Sequence, residues 1–334
     1  VAVLLLAAIA VGGAAFWVAQ ALAPPPALQS GPLTVEIPPQ RGLLGIARLL
    51  EAAGVVRSAP AFAALAVLRG TARSLKAGEY EIPAGSSLLA TLQLLEAGKV
   101  KPHLIVLPEG FTLRELARQL ETEAVARAED VLRVAASRDF AESLGVQADG
   151  LEGYLFPDTY RVTKGMRIEE ILERIVRRFR EKIATADVVE RARARGLTLH
   201  ELVTLASIVE KETAVPEERP IIAGVFWNRL RRDMPLQADP TVAYAVGKDG
   251  QAPTRADLQL DHPYNTYRNR GLPPGPIANP GRAAIEAALD PAPVPYLFFV
   301  SVDDRRHHFS TTLEEHNQAV ARYRSSRGGR TGTL

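Results

Sequence analysis

The sequence predicts an α+β protein, and three observations carry that prediction. Three short segments, Glu36 to Leu50, Glu81 to Leu95 and Val106 to Leu120, each read as a strand ending at proline, a turn and an amphipathic helix. A helical tract follows, and after it comes a capped apolar helix. The chain then closes on a hairpin and one more capped helix.

The elements are taken in order. Val1 to Ala23 carries no charge and only Gln20 as a strongly polar side chain. A run of that length spans a bilayer, so it predicts a single N-terminal transmembrane helix. Pro24, after the A-x-A-like Ala21-Leu22-Ala23, disfavours cleavage, and the segment is expected to stay as an anchor. Residues 24–32 read as a stiff proline-rich linker, 33–105 as a small α/β module, 106–324 as a larger mixed α+β domain and 325–334 as a flexible tail. The three strand-turn-helix segments are unequally spaced, which argues against a solenoid. A net charge of +2 gives no nucleic-acid signature. The absence of cysteine excludes disulfides, thiol catalysis and lipid attachment through cysteine. A cysteine-free body behind one anchor suits a bacterial periplasm or outer surface.

From about Ala124 to Glu190 the chain is helical and charged, broken by the aromatic-rich Leu151 to Tyr160, and the arginine cluster of Arg174 to Lys182 reads as a solvated helix face. Thr198 with Glu201 forms a capping box, so a helix is expected from about Leu199 until Pro216 forbids continuation. Leu202, Leu205, Ala206 and Val209 make its apolar stripe. Glu210 lies over Ala206 and Val203 and beside Ser207, where small neighbours leave room for a ligand, while Glu212 lies over Ile208 and Leu205. Desolvation there raises a carboxyl pKa and keeps a proton available for a leaving group, the profile of a general acid. The competing reading is that Glu210 or Glu212 pairs with Arg219 or Arg229 and only stabilises the fold. Downstream, a helix spans Pro220 to Arg231. Asp239-Pro240 and Asn279-Pro280 look like N-caps of two short helices. Between them, Tyr264 to Gly281 is too rich in proline and glycine for regular structure, and long ordered loops are usually functional. Tyr296 to Val302 and His307 to Thr311 make a hairpin around Asp303-Asp304, before a helix capped by Thr312 with Glu315.

Metal hydrolysis is disfavoured: His200-Glu201 is followed by Thr204 where the zincin motif needs histidine, and adjacent His307 and His308 on a strand point to opposite faces. No metal or cofactor is expected. No nucleophile elbow, P-loop or dinucleotide fingerprint is present. An acid on a helix beside an amide- and tyrosine-rich loop suits a sugar polymer, with Gln237, Asp239, Tyr264, Asn265, Thr266, Tyr267 and Asn279 as candidates for the groove. A glycosidase needs two carboxylates about 5–10 Å apart, and the sequence offers one good acid. A lytic mechanism needs only one, which protonates the glycosidic oxygen and then deprotonates the sugar's own 6-hydroxyl.

Seven stretches, in order, carry a resemblance: Leu151 to Tyr160, Ala206 to Thr213, Val225 to Leu230, Leu236 to Val242, Tyr264 to Tyr267, Gly271 to Gly281 and Glu315 to Asn317. Together they resemble the YceG-like endolytic murein transglycosylases. The resemblance implies a LysM-like module followed by a YceG-like catalytic domain, in a bacterial inner-membrane protein with one span and its catalytic domain in the periplasm. It implies cleavage of nascent glycan strands between N-acetylmuramic acid and N-acetylglucosamine, cooperation with peptidoglycan polymerases and a role in strand length. It puts the acid/base on Glu210, adds Thr241 and Glu152 to the substrate contacts, and makes Ser207, Glu212 and Asn228 supporting residues. The alternatives are a non-catalytic wall-binding or polymerase-regulating anchor, and a hydrolytic muramidase.

Overall fold

The chain, seen in a computed structural model that describes residues 2–302 and 306–328, separates into Val1–Leu104 with Arg161–Arg167, and Ile105–Tyr160 with Ile168–Leu334. The hairpin turn at Asp303-Asp304 and the end of the expected tail lie outside the described residues.

The first unit begins with α1 (Ala2–Leu22), a 21-residue helix with no charged side chain. The side chains of residues 2–8, 10, 14 and 15 are outside the description, and among the described residues no helix is long and apolar enough to cross a membrane. After α2 (Pro26–Gln29) come β1 (Leu33–Ile37), α3 (Leu43–Ala52), α4 (Ala59–Leu68), β2 (Gly78–Ile82), α5 (Leu88–Glu96) and β3 (His103–Val106). β1 and β2 pair antiparallel with Val35 opposite Tyr80 and Leu33 opposite Ile82. Their inward residues Val35, Ile37, Tyr80 and Ile82 pack on Ile46, Leu50, Phe62, Leu92 and Leu95 from the helices. All three strand-turn-helix segments form as expected, but they do not pack as three like units. α3 and α4 both intervene between the paired strands, and the helix of the third segment lies in the second unit. α4 escapes a periodicity search because nearly every residue in it is apolar; Ser58 caps it, its Oγ accepting from the Ala61 amide, and Pro60 sits in its first turn. The buried Glu79 is matched by His103 at 2.6 Å and Lys164 at 3.4 Å, which holds the 161–167 segment in this unit.

The second unit contains α6 (Leu113–Thr122), α7 (Ala128–Ala135), α8 (Arg138–Ser143), β4 (Thr159–Val162, divided between the units), α9 (Ile168–Lys182), α10 (Ala186–Ala194), α11 (Leu199–Glu212), α12 (Arg219–Arg231), α13 (Asp239–Ala245), α14 (Arg282–Leu289), β5 (Phe298–Ser301), β6 (His307–Ser310) and α15 (Leu313–Gly328). α11 is its axis, packed by α10, α12, α13 and α14. Both bonds of its expected capping box are present. Instead of one apolar stripe, every residue from Leu202 to Val209 is buried, so the middle of α11 is covered all round and its two ends are half-buried. The arginines of α9 line its outer face, opposite Ile171, Leu172, Ile175, Val176 and Phe179. β5 and β6 form the expected hairpin, with Phe299 opposite Phe309, and Glu315 closes the cap of α15 on the amides of Thr311 and Thr312.

Residues 264–281 form no helix and no strand, and they lie against α11 through named bonds: the Ile277 amide donates to Ser207 Oγ at 3.0 Å. Gly153 lets this loop pack closely on the 151–158 turn. It has φ +87°, and a Cβ there would lie 2.4 Å from the Pro276 ring and 3.0 Å from Val203. Strain and overlap act together at this position, so Gly153→Ala is expected to lower stability by about 2–4 kcal/mol, measured as the shift in a thermal or urea transition.

Candidate active site

The two acids at the end of α11 are two residues apart, about 200° around a helix of 3.6 residues per turn, so they face opposite ways. They meet different surroundings.

Glu210 turns into the protein. Its side chain is 5% exposed, Oε1 accepts from Arg219 Nη2 at 2.9 Å and Oε2 from the Gly281 amide at 2.9 Å. The space that small neighbours leave beside it is filled by two glycine turns: a Cβ at Gly110 would lie 3.3 Å from Glu210 Cγ, and Gly281 delivers its amide directly. Glu109 approaches the same guanidinium at 3.5 Å. Burial pushes the Glu210 carboxyl above its ordinary value, while the Gly281 amide and Arg219 pull it back and Glu109 pushes it up again. The arginine pairing offered as the purely structural alternative is therefore what the geometry contains.

Glu212 turns the other way, onto the wall of a cavity of about 260 Å³ that also presents Lys211, Asp239, Tyr244, Asp249 and Gln251. No hydrogen bond or ion pair reaches its carboxyl among the described residues. Burial, helped by the charge of Asp239, raises it to about 8, against a smaller downward pull from Arg229. A group with that value holds its proton at neutral pH and can give it up without a large penalty. Arg229, 6% exposed, spends its donors on carbonyls, Leu297 at 2.7 Å and Leu236 at 2.6 Å, and so fixes the turn that leads to Asp239. In that turn Gln237 adopts φ +47°, a left-handed conformation that a non-glycine residue rarely takes. The Gln237 and Asp239 side chains are exposed, Asp239 on the cavity wall, and Tyr267 donates its hydroxyl to Asp239 Oδ1 at 2.5 Å.

Several of the expected substrate contacts make bonds inside the protein, and neither expected cap forms. Asp239 does not cap α13; Ala238 holds that position without a side-chain bond, which leaves the Asp239 carboxylate at the cavity. Asn279 does not cap α14, whose N-cap is Gly281. Fully buried, Asn279 accepts from the Leu155 amide at 2.8 Å and donates to Phe111 O and Glu152 Oε1, which joins three segments remote in sequence. Glu152 takes the Leu113 amide on both oxygens and the Tyr244 hydroxyl at 3.4 Å; burial raises it to about 7. Thr241 and Thr266 bond each other at 2.9 Å, and Asn265 holds the carbonyls of Leu258 and Leu260. Ser207 is the anchor of the loop at Ile277, and Asn228 holds the carbonyls of Val294 and Tyr296. These internal bonds hold the groups in fixed positions around the site. Tyr264 keeps an exposed face. Glu109 beside Arg219, Tyr244 on the cavity wall and Arg114 over the Tyr244 ring are not singled out by the sequence; only a glycine next to an acid, at Glu109-Gly110, hints at the first. His307 is engaged by Glu218 at 2.7 Å, away from His316, which stacks on Phe298.

Comparison with known proteins matches this architecture. The model of the YceG-like family aligns with residues 35–322. The chain is 33% identical over 333 residues to a Bacillus subtilis protein named endolytic murein transglycosylase, covering 95% of this chain and 92% of that one. It is 34% identical over 327 residues to a Streptococcus pneumoniae protein of the same name, where it covers 88% of this chain but 59% of the longer relative. A crystal structure of a yceG-like protein from Listeria monocytogenes superposes with a TM-score of 0.61 at 35% identity, over 86% of this chain and 98% of that one. With the family model matched over most of its length and relatives of this identity, the chain belongs to the YceG-like family.

Proposed function

We propose that this protein is an endolytic murein transglycosylase, a lyase that cuts peptidoglycan glycan strands between N-acetylmuramic acid and N-acetylglucosamine, and that Glu212, not Glu210, moves the proton. The observation that carries the assignment is the Glu212 carboxyl on the wall of the cavity it shares with Asp239, with no hydrogen-bond partner among the described residues. Protonated Glu212 gives its proton to the glycosidic oxygen as the bond to the anomeric carbon breaks. The carboxylate left behind takes the proton of the same sugar's 6-hydroxyl, whose oxygen closes onto the anomeric carbon. The product ends in a 1,6-anhydro sugar and Glu212 is protonated again, so one residue completes the cycle without water.

The names of the bacillar and pneumococcal relatives support the substrate class. The uncharged α1 supports a single-pass anchor in the bacterial inner membrane with the catalytic domain in the periplasm. On this reading the protein works beside peptidoglycan polymerases and limits strand length, and the unit containing β1 and β2 acts as the LysM-like module.

A second reading has one observation in its favour. Asp239 and Asp249 share the cavity with Glu212, so the wall carries more than the single carboxylate a lytic mechanism needs. Mass spectrometry of the fragments released from purified peptidoglycan by the full chain separates the readings. Internal fragments with 1,6-anhydro ends are expected; reducing ends, heavier by one water, would establish a muramidase, and no cleavage would leave a wall-binding anchor.

A further inference from the structure

We propose that the cavity on the far side of Tyr244 from Glu212 is a second sugar subsite, in which Tyr264 carries a pyranose ring of the same glycan strand. The inference rests on the reading of the protein as a glycan-cutting lyase.

This cavity has a volume of about 420 Å³ and shares Tyr244 as a wall with the cavity of Glu212. Tyr244 is a fixed partition. The Arg114 guanidinium lies 4.6 Å from its ring centroid, its hydroxyl reaches Glu152 at 3.4 Å, and the Tyr264 ring packs 5.2 Å away. An enzyme that cuts inside a strand must hold sugars on both sides of the bond, so a strand leaving the Glu212 cavity past Tyr244 enters this space.

The walls there suit a sugar. Ala136 and Pro276 are apolar, the Tyr264 ring offers a flat face, and Gln147, Asp149 and Arg138 stand at the rim. The hydroxyls of Tyr154, Tyr160, Tyr244 and Tyr267 each meet a partner inside the protein. That of Tyr264 meets none among the described residues. Gly275 keeps it accessible, since a Cβ there would come within 3.1 Å of the Tyr264 hydroxyl. An aromatic face with a free hydroxyl beside an amide and a carboxylate is the recognition chemistry of an N-acetylated pyranose.

The test is binding of peptide-free glycan strands, prepared with an amidase, to the full chain carrying Glu212→Gln. Adding Ala136→Trp, which fills the cavity from an exposed position, is expected to weaken binding about tenfold, and Tyr264→Phe, which removes only the hydroxyl, by a few-fold. Unchanged affinity in both variants would overturn the subsite, as would strands that bind only with their peptides attached, since the occupant would then be the peptide. If wild type forms no anhydro ends but Ala136→Trp still weakens binding, the lyase reading fails and the sugar site stands. If wild type forms them and both variants bind as before, the site alone fails.

Discussion

Glu212→Gln is expected to lower the rate of anhydro-end formation by about 10²–10⁴-fold, the usual contribution of a positioned acid, with strand affinity nearly unchanged. Glutamine keeps the shape and the polarity of the cavity wall but has no proton to give and cannot take one back. The pH dependence follows from the same environment. The carboxyl, ordinarily near 4.5, is raised to about 8, so the acid form is present through neutrality and the rate falls as pH rises past about 8. Stability moves the same way: between 4.5 and about 8 the folded protein holds a proton that the unfolded chain releases, so rising pH favours unfolding across that window and not above it. Glu212→Gln removes this penalty. The variant should therefore melt higher than wild type at pH 9, by on the order of a few kcal/mol, with the gap closing towards pH 4.5. A variant that is both inactive and more stable at alkaline pH is the signature of a buried acid kept for chemistry. If activity survives and the melting curves coincide, Glu212 is not the acid.

Much of the scaffold was legible because it is specified locally. The capping box of Thr198 and Glu201, the three strand-turn-helix segments and the box of Thr312 with Glu315 each lie within a few residues, and each forms as read. The direction of the two acids was not legible in that way. That Glu210 is sealed depends on Gly110, Arg219 and Gly281, and the Gly110 and Gly281 turns lie far along the chain from it. A helical wheel shows only that Ala206 and Ser207 are small, and smallness serves a packed glycine turn as well as a ligand. Asp239 and Asn279 read as caps in the sequence and are not caps in the fold, for a related reason. Asx-Pro is a good local start signal, but the competing demands of Tyr267 on one and of Leu155, Phe111 and Glu152 on the other decided where those side chains went.

Arg219→Met is expected to destabilise the second unit by about 3–5 kcal/mol, because it leaves the Glu210 carboxylate buried with the Gly281 amide as its remaining partner. The two side chains are 12% and 5% exposed, too little for water to replace the guanidinium. For a unit of this size that loss lowers the melting temperature by roughly 6–20 °C. Replacing both members, as Glu210→Leu with Arg219→Met, removes the stranded charge and should recover much of the loss, since a buried pair contributes little over apolar residues of the same volume. The same series separates a strut from an acid. If Glu210 only holds the Gly281 and Gly110 turns against α11, the activity of each variant will follow its folded fraction, and the double variant will cut glycan strands when assayed below its transition. Should the double variant fold fully and stay inactive while Glu212→Gln retains turnover, the proton-transfer role returns to Glu210 and the Arg219 pair becomes part of the catalytic machinery.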